Sequence, residues 1–180
     1  MEQEVSLVFD LETDGLLDKV SKIHCLAIHD LATEKTLSYN DTGNEEPVVR
    51  GIQRLADADC LIGHNIIGFD LTVLRRLYAW FTPPTLCIDT LLLSRLYHTN
   101  MMEIDQKRKW KHMDPQLYSR HSLEAWGCRL GEYKGGFSKQ TDWSNWSQEM
   151  EDYCIQDVNV TTKLWKHFHK YLNGSNSNIR

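Results

Sequence analysis

The chain has 180 residues, 41% of them hydrophobic, and a formal net charge of −5, enough for one domain with a substantial core. No stretch approaches the roughly 18 uninterrupted apolar residues of a membrane span, and Met1 to Val5 lack the basic region of a signal peptide, so a cytoplasmic protein with no membrane partner is expected. Cys25, Cys60, Cys87, Cys128 and Cys154 are odd in number and form no C-x-x-C pair, which suits buried reduced thiols better than disulfides or a zinc site.

In chain order, residues 5–12 and 23–29 read as strands, separated by a turn at Asp14, Gly15 and Ser21. Thr36 to Tyr39 extends the antiparallel run. Pro47 opens a helix whose Val48, Ile52, Leu55 and Ala56 recur at helical spacing. A short buried strand, Cys60 to Gly63, leads to a helix from about Phe69 to Trp80, which Pro83 and Pro84 must stop. Leu86 to Ile88 is another strand. Asp89 or Thr90 can cap the helix Leu91 to Tyr97, whose apolar character predicts burial. Residues 99–121 show little periodicity and read as an irregular basic excursion around Lys107, Arg108, Lys109, Trp110 and Lys111. Ser122 starts a further helix, broken at Gly131, Gly135 and Gly136; Ser147 to Leu172 is one long helix, and 173–180 is a polar tail. Strands first and then alternating elements describe an α/β sheet layered with helices, a domain over residues 1–172.

Charge is unevenly placed. From His98 to Lys139 eight Lys or Arg face five Asp or Glu, leaving +3 against −8 for the rest. An acidic body beside a basic segment is compatible with a metal site next to a phosphate-binding surface. The acids with the most informative spacing are Asp10 and Glu12, two apart on a strand and so on one face. At about 4 Å and an effective dielectric near 20 their repulsion is on the order of 4 kcal/mol, which calls for a cation. Asp70 ends the run Gly-His-Asn-Ile-Ile-Gly-Phe-Asp at a strand-to-helix junction, and Tyr153 precedes Asp157 by one helical turn. Singly, Asp70 is an ordinary first-turn acid and the Tyr153–Asp157 pair an ordinary surface pair.

Together, Asp10-Leu-Glu-Thr13, the run ending at Asp70 and Tyr153-x-x-x-Asp157 resemble the three exonuclease motifs of the DEDD family, tyrosine subclass; the histidine subclass would place His where Asp152 stands. Cys87 to Asn100 and His121 to Gly135 are similar to segments of podophage family-A DNA polymerases, so the resemblance spans roughly Val5 to Leu172. It implies an RNase H-like fold with a mixed five-stranded sheet, first three strands antiparallel, flanked by helices. The implied activity is 3′-to-5′ hydrolysis of single-stranded or frayed DNA, releasing nucleoside 5′-monophosphates, of a proofreading or DNA-processing kind in a phage-infected cell. The residues contain no palm, fingers or thumb, so synthesis is not expected; a free-standing nuclease and a domain acting with a polymerase in cis or in trans both fit.

The resemblance further implies two divalent ions, Mg²⁺ or Mn²⁺, suited to hard carboxylate oxygens. It gives Asp10 to both, Glu12 and Asp157 to the water-activating ion, Asp70 to the second through water, and Tyr153 to orienting the attacking water. Leu11, Thr13, Leu16, Asn65 and Phe69 would contact the substrate strand, Leu16 as a wedge between the last two bases; turn and cap chemistry is the alternative for Thr13 and Asn65. The basic run around Trp110 is a candidate track for phosphates with a stacking ring. Trp126, Trp143, Trp146 and Tyr133 are expected as core or loop anchors, and His24 and His64 as packed or hydrogen-bonded. The rival readings are an RNA exonuclease of the same subclass and an inactive RNase H-like docking module.

Overall fold

The computed structural model describes residues 4–43, 46–132 and 143–172; Tyr133, Gly135, Gly136 and the tail at 173–180 lie outside them. Strand β1 (Ser6–Thr13) is the middle of a five-stranded sheet, flanked by β2 (Ile23–Asp30) and β3 (Lys35–Asn40) on one side and by β4 (Cys60–Gly63) and β5 (Leu86–Asp89) on the other. The pairs β1–β2 and β2–β3 are antiparallel, whereas β1–β4 and β4–β5 are parallel. The sheet is therefore mixed, with its first three strands antiparallel.

The alternation of side chains along β1 builds the layers. Leu7, Phe9 and Leu11 enter a core closed by α1 (Val48–Ala56) and α2 (Asp70–Leu77). Val8 enters a second core against Met150, Cys154 and Val158 of α6 (Gln148–Leu172). Asp10 and Glu12 continue the Val8 face, so β1 turns from apolar to acidic beneath α6. At Glu12–Thr13 the pairing with β2 shifts register, a device that re-aims side chains at strand ends. Where β4 ends, a Cβ on Gly63 would stand 2.9 Å from the Phe9 carbonyl oxygen and 2.1 Å from Ile66. Only glycine admits so close an approach, and it brings the β4–α2 junction against β1.

Three elements differ from the sequence expectation. Helix α2 ends at Leu77, not Trp80, because Phe81 is buried in the first core and its N–H donates to Tyr78, turning the chain before Pro83. Helix α3 (Thr90–Tyr97) is not buried: Leu92, Leu96 and Tyr97 are exposed, and only the stripe through Thr90, Leu93 and Ser94 is covered. Residues 99–121 are not an irregular loop. They contain α4 (Met101–Arg108) and a 3₁₀ turn, Pro115–Leu117, docked on α5 (Leu123–Leu130).

The dock is a buried carboxylate. Asp105 accepts from Arg129 through Nε (3.0 Å) and Nη2 (2.7 Å), from the Trp110 indole N–H (2.9 Å) and from the Ser119 backbone N–H (2.9 Å). One acid thus replaces the apolar periodicity that was missing, and α4's polar sequence carries no amphipathic signal for it. Burial alone would raise the Asp105 pKa; the hydrogen bonds from Arg129, Ser119 and Trp110 outweigh it and hold it below the usual carboxylate value. The depressed folded pKa means that this stabilisation is present at neutral pH and is lost as pH falls through that lowered value. Asp105→Ala strands a buried guanidinium and is expected to destabilise the fold by about 3–5 kcal/mol at pH 7, with the loss shrinking at low pH. Denaturant melts of the two proteins at pH 7 and at pH 3 check both the size and the sign.

Candidate active site

The C-terminal half of β1 supplies Asp10 and Glu12, and α6 crosses them with Cys154 and Asp157, three apart and on one helix face. One oxygen each of Asp10 and Glu12 and the Cys154 sulfur lie within 4.8 Å of one another. The Cys154 thiol donates to the Asp10 carbonyl oxygen at 3.3 Å. Opposite them, Asp70 opens α2, buried to 4% exposure. Its carboxylate accepts from its own backbone N–H and from that of Leu11, the residue between Asp10 and Glu12, and it feels the charge of Asp157. Asp10 and Glu12 on β1 are thus grouped with Cys154 of α6, and Asp70 of α2 lies within the field of Asp157. Tyr153, half-buried, precedes Asp157 by one turn and follows it onto the same side of α6.

Electrostatics make this cluster costly without a counter-charge. Burial pushes the Asp70 carboxyl up to about 7; the Asp89 and Asp157 charges add to that rise, against the two backbone hydrogen bonds. Burial, the adjacent Cys25 thiol and the Asp10 and Glu12 charges hold the Cys154 thiol well above its ordinary value. The carboxylate oxygens of the group suit Mg²⁺ or Mn²⁺, with the Cys154 sulfur beside them. Asp10 and Glu12 fit such an ion.

Sequence reasoning missed Cys154, visible only through its i−3 relation to Asp157, and the second use of Asp89. Besides capping α3 at the Leu91 N–H (2.9 Å), Asp89 accepts from the Asn65 and Ile67 N–H groups (2.9 and 3.1 Å). It clamps the loop that carries Asp70. Asn65 takes a left-handed backbone there, φ 65°, which Asn tolerates better than most residues.

Beside the carboxylates lies an apolar slot of about 300 Å³ lined by Glu12, Thr13, Gly15, Leu16, Phe69 and Trp143. Leu16 stands 74% exposed at its edge, on a loop that the Arg76 guanidinium holds by the Leu17 carbonyl. Trp143, expected as an anchor, lines the slot, and its carbonyl is bonded to His24 Nε2 at 3.0 Å. The Thr13 hydroxyl donates to Gly15 at 2.8 Å, which leaves it only acceptor capacity. The Leu11 side chain is packed into the first core, so only its backbone reaches the site. Asn65 is placed apart from the slot, in a groove of about 550 Å³ with His64, Arg95, Arg120 and His121. His64 is bonded to the Thr90 hydroxyl at 2.9 Å.

A family model described as the RNase H superfamily, RNase_H_2, matches residues 7–169. The chain belongs to the RNase H superfamily. Within it, the chain is 33% identical over 181 residues to the DNA-directed DNA polymerase of Escherichia phage T7 and 35% identical over 188 residues to that of Enterobacteria phage T3. In each case 88% of this chain is covered, and it spans about a quarter (26%) of the relative's length. Among solved structures, Brucella melitensis NrnC superposes with a TM-score of 0.67 at 19% identity, over 96% of this chain and 76% of that one, which is a likeness of fold. Among the described residues, no helix of this RNase H-like domain is long and apolar enough to cross a membrane.

Because the acids repel one another, Asp70→Asn is expected to raise the melting temperature in EDTA at pH 7, while the gain that millimolar Mg²⁺ gives the unaltered chain by linkage shrinks to near zero in the variant. Thermal melts with and without Mg²⁺ test this; an unchanged gain contradicts a shared ion site.

Proposed function

We propose that the protein is a metal-dependent 3′-to-5′ exonuclease that trims unpaired or frayed DNA and releases nucleoside 5′-monophosphates. What supports this reading is the grouping of Asp10 and Glu12 beside an apolar slot lined by Leu16 and Phe69, with the buried Asp70 and Asp157 acting on one another nearby. Phage DNA polymerases at 33% and 35% identity support DNA as the substrate and a polymerase, in cis or in trans, as a partner in an infected cell. NrnC of Brucella melitensis, which shares the fold, has been solved with Mg²⁺ and with pGG.

Asp10, Glu12 and Asp157 would hold one divalent ion and Asp10 and Asp70 a second. When bound, such ions neutralise the cluster, activate a water and stabilise the leaving 3′ oxygen of the scissile phosphodiester. The chain's own groups would do the positioning. Leu16 and Phe69 flank the slot into which the last base fits, so the apolar area that Leu16 exposes is covered when the strand is seated. The lone pairs of Thr13 Oγ1 face a donor on the terminal nucleotide. Tyr153 would orient the attacking water through its phenol.

DNA and RNA oligomers labelled at the 5′ end test substrate and polarity together. The expected result is stepwise shortening of the DNA from its 3′ end in Mg²⁺ or Mn²⁺ and none in EDTA. Asp10→Ala should lower the rate by about a thousandfold or more, the ~4 kcal/mol of charge stabilisation that a misplaced ion forfeits. Tyr153→Phe should leave a measurable remainder. Faster shortening of RNA would overturn the DNA assignment, and full activity in Asp10→Ala would overturn the site.

A further inference from the structure

The excursion that carries the basic run closes one side of a cavity of about 550 Å³, whose other walls are the end of α3 and the last turns of α6. It is separate from the carboxylate site: Asp157 and His167 are ten residues apart on α6, about 15 Å along the helix axis. Its wall is a run of rings. His98 and His167 lie 5.3 Å apart between centroids and are hydrogen-bonded through Nε2 at 3.0 Å. His167 continues to Tyr171 at 5.8 Å, and Tyr171 stacks on Tyr97 at 5.1 Å. Trp110 closes the opposite side, its indole N–H fixed by Asp105.

The rim is cationic. Lys107, Arg108 and Lys170 line it with no carboxylate among the lining residues. The Arg108 guanidinium sits 5.4 Å over the Trp110 ring and the Lys170 ammonium 5.2 Å over Tyr171. Burial, together with the Lys170 charge, holds the His167 and His98 pKa values below the ordinary imidazole value. At neutral pH both imidazoles therefore present flat neutral faces. Four cations, Arg129 among them though paired with Asp105, surround the two imidazoles and favour an anion over a metal ion. The exposed Leu92 and Leu96 that a docked protein helix would use lie outside the lining.

Flat rings with cations alternating at their edge are the combination by which single strands are held without regard to sequence: bases stack and phosphates pair with Lys and Arg. We propose that this cavity is a second nucleotide-binding site, in which a base of the unpaired strand upstream of the cut packs against the rings of His98 and His167, with Tyr171 edge-on to them, while Lys107, Arg108 and Lys170 hold its phosphates. The inference rests on the exonuclease reading for the direction of the strand, and on the cavity alone for the chemistry of the ligand. At about 3.4 Å per stacked nucleotide, the ~15 Å between the sites corresponds to four or five nucleotides, so shorter oligomers cannot occupy both.

The test uses the full chain and oligo(dT) of 2, 4, 8 and 12 nucleotides, read as binding in EDTA and as KM in Mg²⁺. Tyr171→Ala, Lys170→Ala and the combined Lys107→Ala/Arg108→Ala/Lys170→Ala change exposed side chains, and melts verify folding. The expected result is that affinity for the unaltered chain steps up between 4 and 8 nucleotides. Each variant should lose about tenfold for the 12-mer with KM for the dinucleotide unchanged, and the triple variant should also show a shallower dependence on salt. Equal weakening at all lengths, or no step in the unaltered chain, overturns the proposal. Removal of the 12-mer's extra affinity by dTMP, with dinucleotide cutting unaffected, would assign the cavity to a free nucleotide and overturn the strand assignment. A length step that persists in a protein that cuts nothing would refute the exonuclease reading and leave the second site standing.

Discussion

One face of β1 changes character halfway along the strand, and α6 is packed across the change. Val8 meets Met150, Cys154 and Val158 in a dry interface; two residues later the same face presents Asp10, and two further on Glu12. Because a strand repeats every two residues and a helix every three to four, the contact that buries Val8 also brings Cys154 of α6 within 4.8 Å of the acids of β1. Carboxylates within 4.8 Å of one another repel by about 3 kcal/mol at an effective dielectric near 20. Apolar packing next door holds them there, and the fold stores that repulsion until a cation relieves it.

The neighbours of the cluster fix where its members stand. Asp89 satisfies the backbone N–H groups of the β4–α2 loop and so fixes where Asp70 enters. Cys154 donates to the Asp10 carbonyl oxygen, and burial holds its thiol pKa well above the ordinary value. The slot beside the acids is formed by the end of β1, the loop after it, Phe69 before α2 and Trp143 before α6. The aromatic and cationic cavity at the far end of α6 gives the domain a second feature of the same chemical kind.

Much of this was legible in the sequence where the physics is local. Strand alternation in residues 5–12 fixed the shared face of Asp10 and Glu12, and Pro47, Ser122 and Asp89 marked helix starts that the structure contains. Convergence of the three segments came from the resemblance of their motifs; spacing alone left Asp70 and Asp157 as ordinary acids. What stayed illegible depends on partners distant in sequence. Asp105 meets Arg129 twenty-four residues later, and no periodicity announces such a dock. Apolar composition misread α3, since only one stripe of it found a partner in α6. Trp143 became a slot wall through His24, 119 positions earlier, and the His98–His167 pair joins α3 to α6 across 69 positions.

The central claim is that acids from β1 and α6 act as one cation site, and a double-mutant cycle on Mn²⁺ affinity tests it most directly. Asp10→Asn, Asp157→Asn and the double variant would be titrated calorimetrically beside the unaltered chain. Shared coordination predicts that the second substitution costs far less once the first is present, a coupling of about 1 kcal/mol or more. Losses that simply add, within about 0.5 kcal/mol, would contradict it.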